Sequence, residues 1–295
     1  MEATPAHARS PARRSGPPRL PDFLVIGAMK AGTTSLWHAL RSHPDIFTPD
    51  EKELVFFIAE KNWSRGVDWY ASQFVGAGDA LAAGEVSPEY TLAHAYAGVP
   101  DRIAELIPDV KLIYLLRDPL MRLRSHYLER VRAGTEDRPP ERAFRENPGY
   151  VLASRYAWQL DRYLAHFRRE QILLLTTEGL RDEPRETLAA VFDFLGVDKA
   201  WTPPASSTTT NTTGEVFVRR DPIKRARERW PYRAAAMITP APLRRLHHRL
   251  TTKKLTTASM DLSDDLEAEI RAQLVPDVAR LRAWMGPGFD GWGIA

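Results

Sequence analysis

The sequence predicts an α/β fold in which short parallel strands alternate with amphipathic helices. Three runs carry that expectation: Phe23 to Ile26, Val110 to Leu116 and Ile172 to Thr176 are short and almost wholly apolar. Strands buried on both faces of a parallel sheet read this way, whereas a half-solvated antiparallel strand alternates in polarity. The first two runs also lead directly into helix starts, as in a strand-helix repeat. A shorter fourth strand is expected around Gly84 to Val86.

Each helix has its own local cause. Thr33 to Arg41 gathers Leu36, Trp37 and Leu40 on one side. Pro119 to Val131 opens with Asp118 as N-cap and Pro119 at the first helical position, where a missing amide proton costs nothing. Ser154 to Phe167 spaces Tyr156, Leu160, Tyr163, Leu164 and Phe167 at helical intervals, and Glu186 to Leu195 is closed by Gly196. Ser263 caps a last helix carrying Leu266, Ile270 and Leu274, expected to stop before Pro276. Trp201 to Gly214, rich in Pro, Ser and Thr, reads as a loop, and the arginines from Arg219 to Arg233 read as a solvated helix face or a ligand-contacting segment.

The bulk composition excludes several classes. With no cysteine among 295 residues, neither disulfides nor thiolate chemistry is available, and a reducing cytoplasm is the expected setting. A net charge of +3 is too small for a dedicated nucleic-acid binder. No apolar run approaches the roughly 20 residues that a transmembrane helix needs. Residues 1–20 read as a disordered, basic, proline-rich tail, and residues 21–295 as a single domain.

The chemistry begins at "GAMKAGTTS", between the first strand and the first helix. Gly27 and Gly32 have the spacing of a Walker A loop, but Thr33 stands where that motif has lysine, and Lys30 lies inside the loop. The amides opening the helix, with the Thr33 and Thr34 hydroxyls, form an anion site. Lys30 beside it can stabilise charge developing on a bridging oxygen. At the end of the Val110 to Leu116 strand, Arg117, Arg122 and Ser125 offer guanidinium and hydroxyl groups to a second phosphate. Ligands of open α/β sheets bind outside the carboxyl ends of strands, so the two sites point to one ligand with two separated phosphates.

"GAMKAGTTSL" resembles the 5′-phosphosulfate loop, and "RDPLMRLRSHY" the 3′-phosphate motif, of sulfotransferases that use 3′-phosphoadenosine 5′-phosphosulfate (PAPS). The bacterial and heparan-sulfate-type branch is the more similar one. "HPDIFTPDEKELVFF", "GEVSPEY", "FLGVD", "TNTTGEVFVRR" and the terminal "LVPDVARLRAWMGPGFDGW" are similar to its other landmarks. The resemblance implies a P-loop-like α/β sulfotransferase fold and a metal-independent sulfuryl transfer from PAPS to an acceptor hydroxyl, with an amine as the other candidate. It implies that Lys30, Ala31, Gly32, Thr33, Thr34 and Ser35 hold the 5′-phosphosulfate, Lys30 also assisting departure of the phosphate. Arg117 and Ser125 would hold the 3′-phosphate, and Gly214, Arg219 and Arg220 would belong to a cofactor-closing loop.

Glu53 falls where the heparan-sulfate branch has its catalytic glutamate, with Glu85 and His126 as competing bases and Val55, Phe56 and Phe57 as an expected dry wall. Val55 and Val86 stand where that branch tends to have histidine and lysine near the acceptor, which points away from a sulfated polysaccharide. A saccharide, a glycolipid or a small metabolite remains as acceptor. The rival readings are a small-molecule kinase with a divergent P-loop and a non-catalytic nucleotide-binding protein.

Overall fold

All the apolar runs become strands of one parallel sheet. The computed structural model describes residues 19–204, 216–219, 252–255, 260 and 262–294. Strands β1 (Phe23–Gly27), β2 (Ile46–Phe47), β3 (Ala82–Val86), β4 (Lys111–Leu116) and β5 (Ile172–Thr176) lie in the order β2-β3-β1-β4-β5. β1 is central, pairing Leu24 with Glu85 of β3 on one side and with Leu112 of β4 on the other. The chain leaves β1 toward one edge and later fills the other, so the strand order reverses at β1 and the crevice outside its carboxyl end is the topological switch point. Strands β6 (Val216–Arg219) and β7 (Thr252–Leu255) form a separate antiparallel pair.

Helices α1 (Thr33–Ser42), α2 (Gly66–Ser72), α3 (Val99–Leu106), α4 (Pro119–Arg132), α5 (Pro140–Glu146), α6 (Gly149–Leu152), α7 (Tyr156–Leu164), α8 (Thr177–Asp182), α9 (Pro184–Leu195) and α10 (Asp264–Met285) surround the sheet. Every residue of β1 and β3 is buried. A second apolar cluster joins Leu123 and Leu128 of α4 to Phe144, Tyr150, Ile270 and Leu274. The aromatic residues Tyr70, Tyr90, Tyr150 and Tyr156 are all core. No helix among the described residues is long and apolar enough to cross a membrane.

The expected caps form: Asp118 accepts from the Leu120 and Met121 amides at 2.8 and 3.1 Å, and Gly196 closes α9 in the left-handed region with φ 79°. The C-terminal helix departs from expectation by running through Pro276 to Met285. An interior proline removes one backbone bond and crowds the preceding turn. At the next residue, the buried Asp277 carboxylate accepts from the Ala157 and Trp158 amides at 2.9 and 2.8 Å. It thereby caps α7 from another helix, and α7 starts at Tyr156 rather than at Ser154.

Burial pushes the Asp277 carboxyl up while those two amides pull it down. Asp277→Ala is expected to cost about 1–3 kcal/mol, the loss of charge-assisted capping bonds in a buried setting, measured by chemical denaturation. An unchanged denaturation midpoint would contradict this role.

Candidate active site

The turn after β1 is fixed almost entirely through its main chain. Gly27 passes so close to its neighbours that an added Cβ would lie 2.1 Å from Thr91 Oγ1 and 2.9 Å from Tyr114 Cε2. The Ala28 amide donates to the Leu115 carbonyl at 2.6 Å, tying the loop to β4. Lys30 and Gly32 then take left-handed conformations, φ 72° and 83°. That is easy for glycine, whereas a lysine in this region must be held. Arg117 holds it, Nη1 donating to the Lys30 carbonyl at 3.0 Å, while the Thr177 hydroxyl sits 2.6 Å from the Ala31 carbonyl and 2.8 Å from that of Leu116.

No side chain caps the N-terminus of α1, and its first turn has no acidic residue. The Ser35 and Leu36 amides bond to the Gly32 carbonyl at 3.0 and 3.3 Å, while Gly32, Thr33 and Thr34 present the uncapped end of the helix. An uncapped end with its dipole, beside a loop lysine, fits a bound phosphosulfate. The Lys30 ammonium reaches across to α4 and pairs with Glu129 Oε1 at 3.0 Å.

The β4 end is equally constrained. The Arg117 carbonyl accepts from the Tyr156 hydroxyl at 2.8 Å. The Asp118 amide donates to Glu178 Oε1 at 3.2 Å, and Glu178 Oε2 accepts from the Trp292 indole at 3.1 Å. Arg117 is thus braced from α7, α8 and the C-terminal segment together. Ser125 is fully buried in α4, one turn before Glu129. Arg122 departs from the expected phosphate-contacting role: its side chain is fully buried, Nε donating to Ser154 Oγ at 2.6 Å and Nη2 to the Tyr150 carbonyl at 2.8 Å. It is a strut between α4 and the segment leading into α7.

The three candidate bases sit in different environments. Glu85, inside β3, accepts from the Tyr70 and Tyr90 hydroxyls at 2.7 Å each and from Ser87 at 2.6 Å. Burial raises its pKa and these bonds oppose the rise, so it is a structural anchor whose acceptor sites are already taken. His126 is pushed down to about 2, first by burial and then by the charges of Arg122 and Arg130, so its imidazole is neutral and a poor proton acceptor. Glu53 alone is exposed, paired with Lys52. It has a left-handed φ of 66° on a loop pinned to β3 by the Glu53 amide to the Val86 carbonyl at 3.1 Å and the Val55 amide to Ser87 Oγ at 3.0 Å. Phe56 and Phe57 are wholly buried, Phe56 stacked on Tyr70 at 4.2 Å, so they anchor this loop instead of walling its carboxylate.

Lys30, Arg117 and Glu53 therefore stand at the carboxyl ends of three neighbouring strands, β1, β4 and β3. Gly214 and Arg220 lie outside the described residues, and Arg219 is described only as the last residue of β6, a strand that runs beside α4. Residues that sequence reasoning missed are Thr177, Tyr156, Glu178, Trp292 and Glu129. All act from distant segments, and none has a local signature.

The family profile described as "Sulfotransferase domain" matches residues 20–212. The chain belongs to this family, whose enzymes are PAPS-dependent and transfer sulfate, as the two anion motifs had implied. Among its relatives, the human bifunctional heparan sulfate N-deacetylase/N-sulfotransferase 3 is 32% identical over 202 residues, covering 61% of this chain and 22% of that one. Human heparan sulfate glucosamine 3-O-sulfotransferase 6 is 31% identical over 204 residues, covering 66% of this chain and 56% of the relative. The chain thus spans between about a fifth and just over half of the length of these relatives. A crystal structure of a sulfotransferase from Alicyclobacillus acidocaldarius superposes with a TM-score of 0.65 at 26% identity, covering 93% of this chain and 99% of that one.

The depressed His126 has a consequence for stability. Its imidazole stays neutral in the fold, whereas in the unfolded chain it takes a proton below about pH 6.5. The unfolded state then binds more protons, so His126 lowers stability as pH falls below that value, by at most about 1.4 kcal/mol per pH unit. His126→Gln should remove this part, so that the stability difference between wild type and variant shifts against wild type from pH 6.5 to 4.5. A gap independent of pH would mean that His126 is charged in the fold.

Proposed function

We propose that this chain moves a sulfuryl group from PAPS to a hydroxyl of a saccharide, glycolipid or small-molecule acceptor, with Glu53 as base. The observation that carries the reading is the convergence of the Lys30 loop, the Arg117 turn and the Glu53 loop on adjoining strand ends. PAPS supplies the activated sulfuryl group, its 5′-phosphate being the leaving group. The first-turn amides of α1 and the Thr33 and Thr34 hydroxyls hold the 5′-phosphosulfate, with Ala31, Gly32 and Ser35 shaping the turn. Lys30 stabilises the negative charge left on the departing phosphate. Arg117 and Ser125 hold the 3′-phosphate. Glu53 takes the acceptor proton, and because its carboxylate is exposed, its strength must come from positioning and from exclusion of water by the acceptor itself.

Val55 and Val86 stand where the heparan-sulfate branch tends to have histidine and lysine. Val55 and Val86 are both buried, and no histidine or lysine replaces them at these positions. This supports an acceptor less charged than a sulfated polysaccharide. The proposal takes residues 21–295 as one domain and a cytoplasmic setting, and Gly214, Arg219 and Arg220 as a closing loop. The kinase reading requires lysine after Gly32, where the buried Thr33 stands.

Titration calorimetry without metal should show clear preference for 3′,5′-adenosine bisphosphate over ADP, since the two ligands differ chiefly in where the second phosphate sits. Equal affinity would return the site to an ordinary nucleotide binder. Lys30→Ala should lower turnover by about 10²- to 10³-fold, the usual loss for one preorganised electrostatic group. Glu53→Gln should cost about 10²- to 10⁴-fold in kcat, as for loss of a general base, while bisphosphate affinity is preserved. Near-normal turnover of Glu53→Gln on any sulfated acceptor would remove Glu53 from the role of base.

A further inference from the structure

We infer that Glu129 is a positioning residue for Lys30, a carboxylate that holds the catalytic ammonium on α4 until the cofactor displaces it. The inference rests on the reading of Lys30 as the lysine of the phosphosulfate site. The main chain around Lys30 is immobilised from both sides, its carbonyl held by Arg117 at 3.0 Å and the next carbonyl by Thr177 at 2.6 Å. Only the butylammonium arm can choose a partner. In this structure it chooses Glu129 Oε1 at 3.0 Å, with the lysine side chain 22% exposed and the glutamate 46%.

Glu129 lies one turn beyond Ser125 on α4, the helix that also carries the 3′-phosphate motif. The pair therefore bridges the two elements proposed to bind the 5′- and 3′-phosphates. A bound 5′-phosphate must compete with this carboxylate for the ammonium, and it must also tolerate the carboxylate's charge nearby. Both effects oppose binding. The pair also keeps the arm beside the site, so the ammonium transfers from one oxygen anion to another without first being fully hydrated.

Glu129→Gln keeps the side-chain shape and removes the charge from a partly exposed helical position. Calorimetry with 3′,5′-adenosine bisphosphate is expected to give about two- to fivefold tighter binding for Glu129→Gln than for wild type, the range of a half-exposed ion pair. In a Lys30→Ala background the same substitution should give a smaller gain, because only the carboxylate's repulsion of the phosphate is then left to remove. An unchanged affinity of Glu129→Gln would overturn the inference. So would an equal gain in the Lys30→Ala background, which would reduce Glu129 to general charge repulsion. If wild type does not prefer the bisphosphate to ADP, the cofactor assignment itself falls, an outcome distinct from a wild type that binds well and a variant that binds identically.

Discussion

The site depends first on the close approach of the β1 main chain to Thr91 and Tyr114. A side chain at Gly27 would occupy the position of the Thr91 hydroxyl, so the strand can reach its turn only as glycine. From there the loop bonds to β4 through the Ala28 amide and to the Arg117 guanidinium through the Lys30 carbonyl. Lys30 and Gly32 then set the start of α1, which has no side-chain cap. The anion site is thus a consequence of backbone packing, and its side chains are late additions to it.

The neighbouring strand solves a different problem by burying charge-bearing chemistry. Glu85 is enclosed within β3 and surrounded by three hydroxyl donors. Each hydrogen bond to a charged group contributes about 1.5–3 kcal/mol, and an unsatisfied carboxylate there would cost at least that much. The donors come from α2, from the end of β3 and from the turn after it, and Ser87 also accepts from the Val55 amide. One buried carboxylate therefore ties together the elements that carry the Glu53 loop, while Glu53 remains exposed at its tip. The burial that makes Glu85 unsuitable as a base makes it effective as the anchor of another carboxylate.

Local physics made much of this legible. The β1, β4 and β5 runs were readable because a strand buried on both faces tolerates almost no polar residue, and Asp118 and Gly196 because caps act within a few residues. The anion loop was readable from two glycines and a lysine. What escaped depends on partners far apart in the chain. Asp277 caps a helix 120 residues away, which accounts for α7 starting at Tyr156. Arg122 read as a phosphate ligand from its helical spacing, but Ser154 and Tyr150 draw it inward. Glu129 gave no signal, because its meaning lies in a lysine 99 residues earlier.

The division between cofactor and acceptor sides follows from the same distinction. On the proposed reading, cofactor contacts would be made largely by amides at a helix end and by groups braced to them. The Glu53 loop, by contrast, is held through buried groups, the Val55 amide donating to Ser87 Oγ and Ser87 donating to Glu85. If Glu53 is the base, as proposed, its positioning rests on the buried Glu85 and Ser87 beneath its loop and not on whatever surface meets the acceptor.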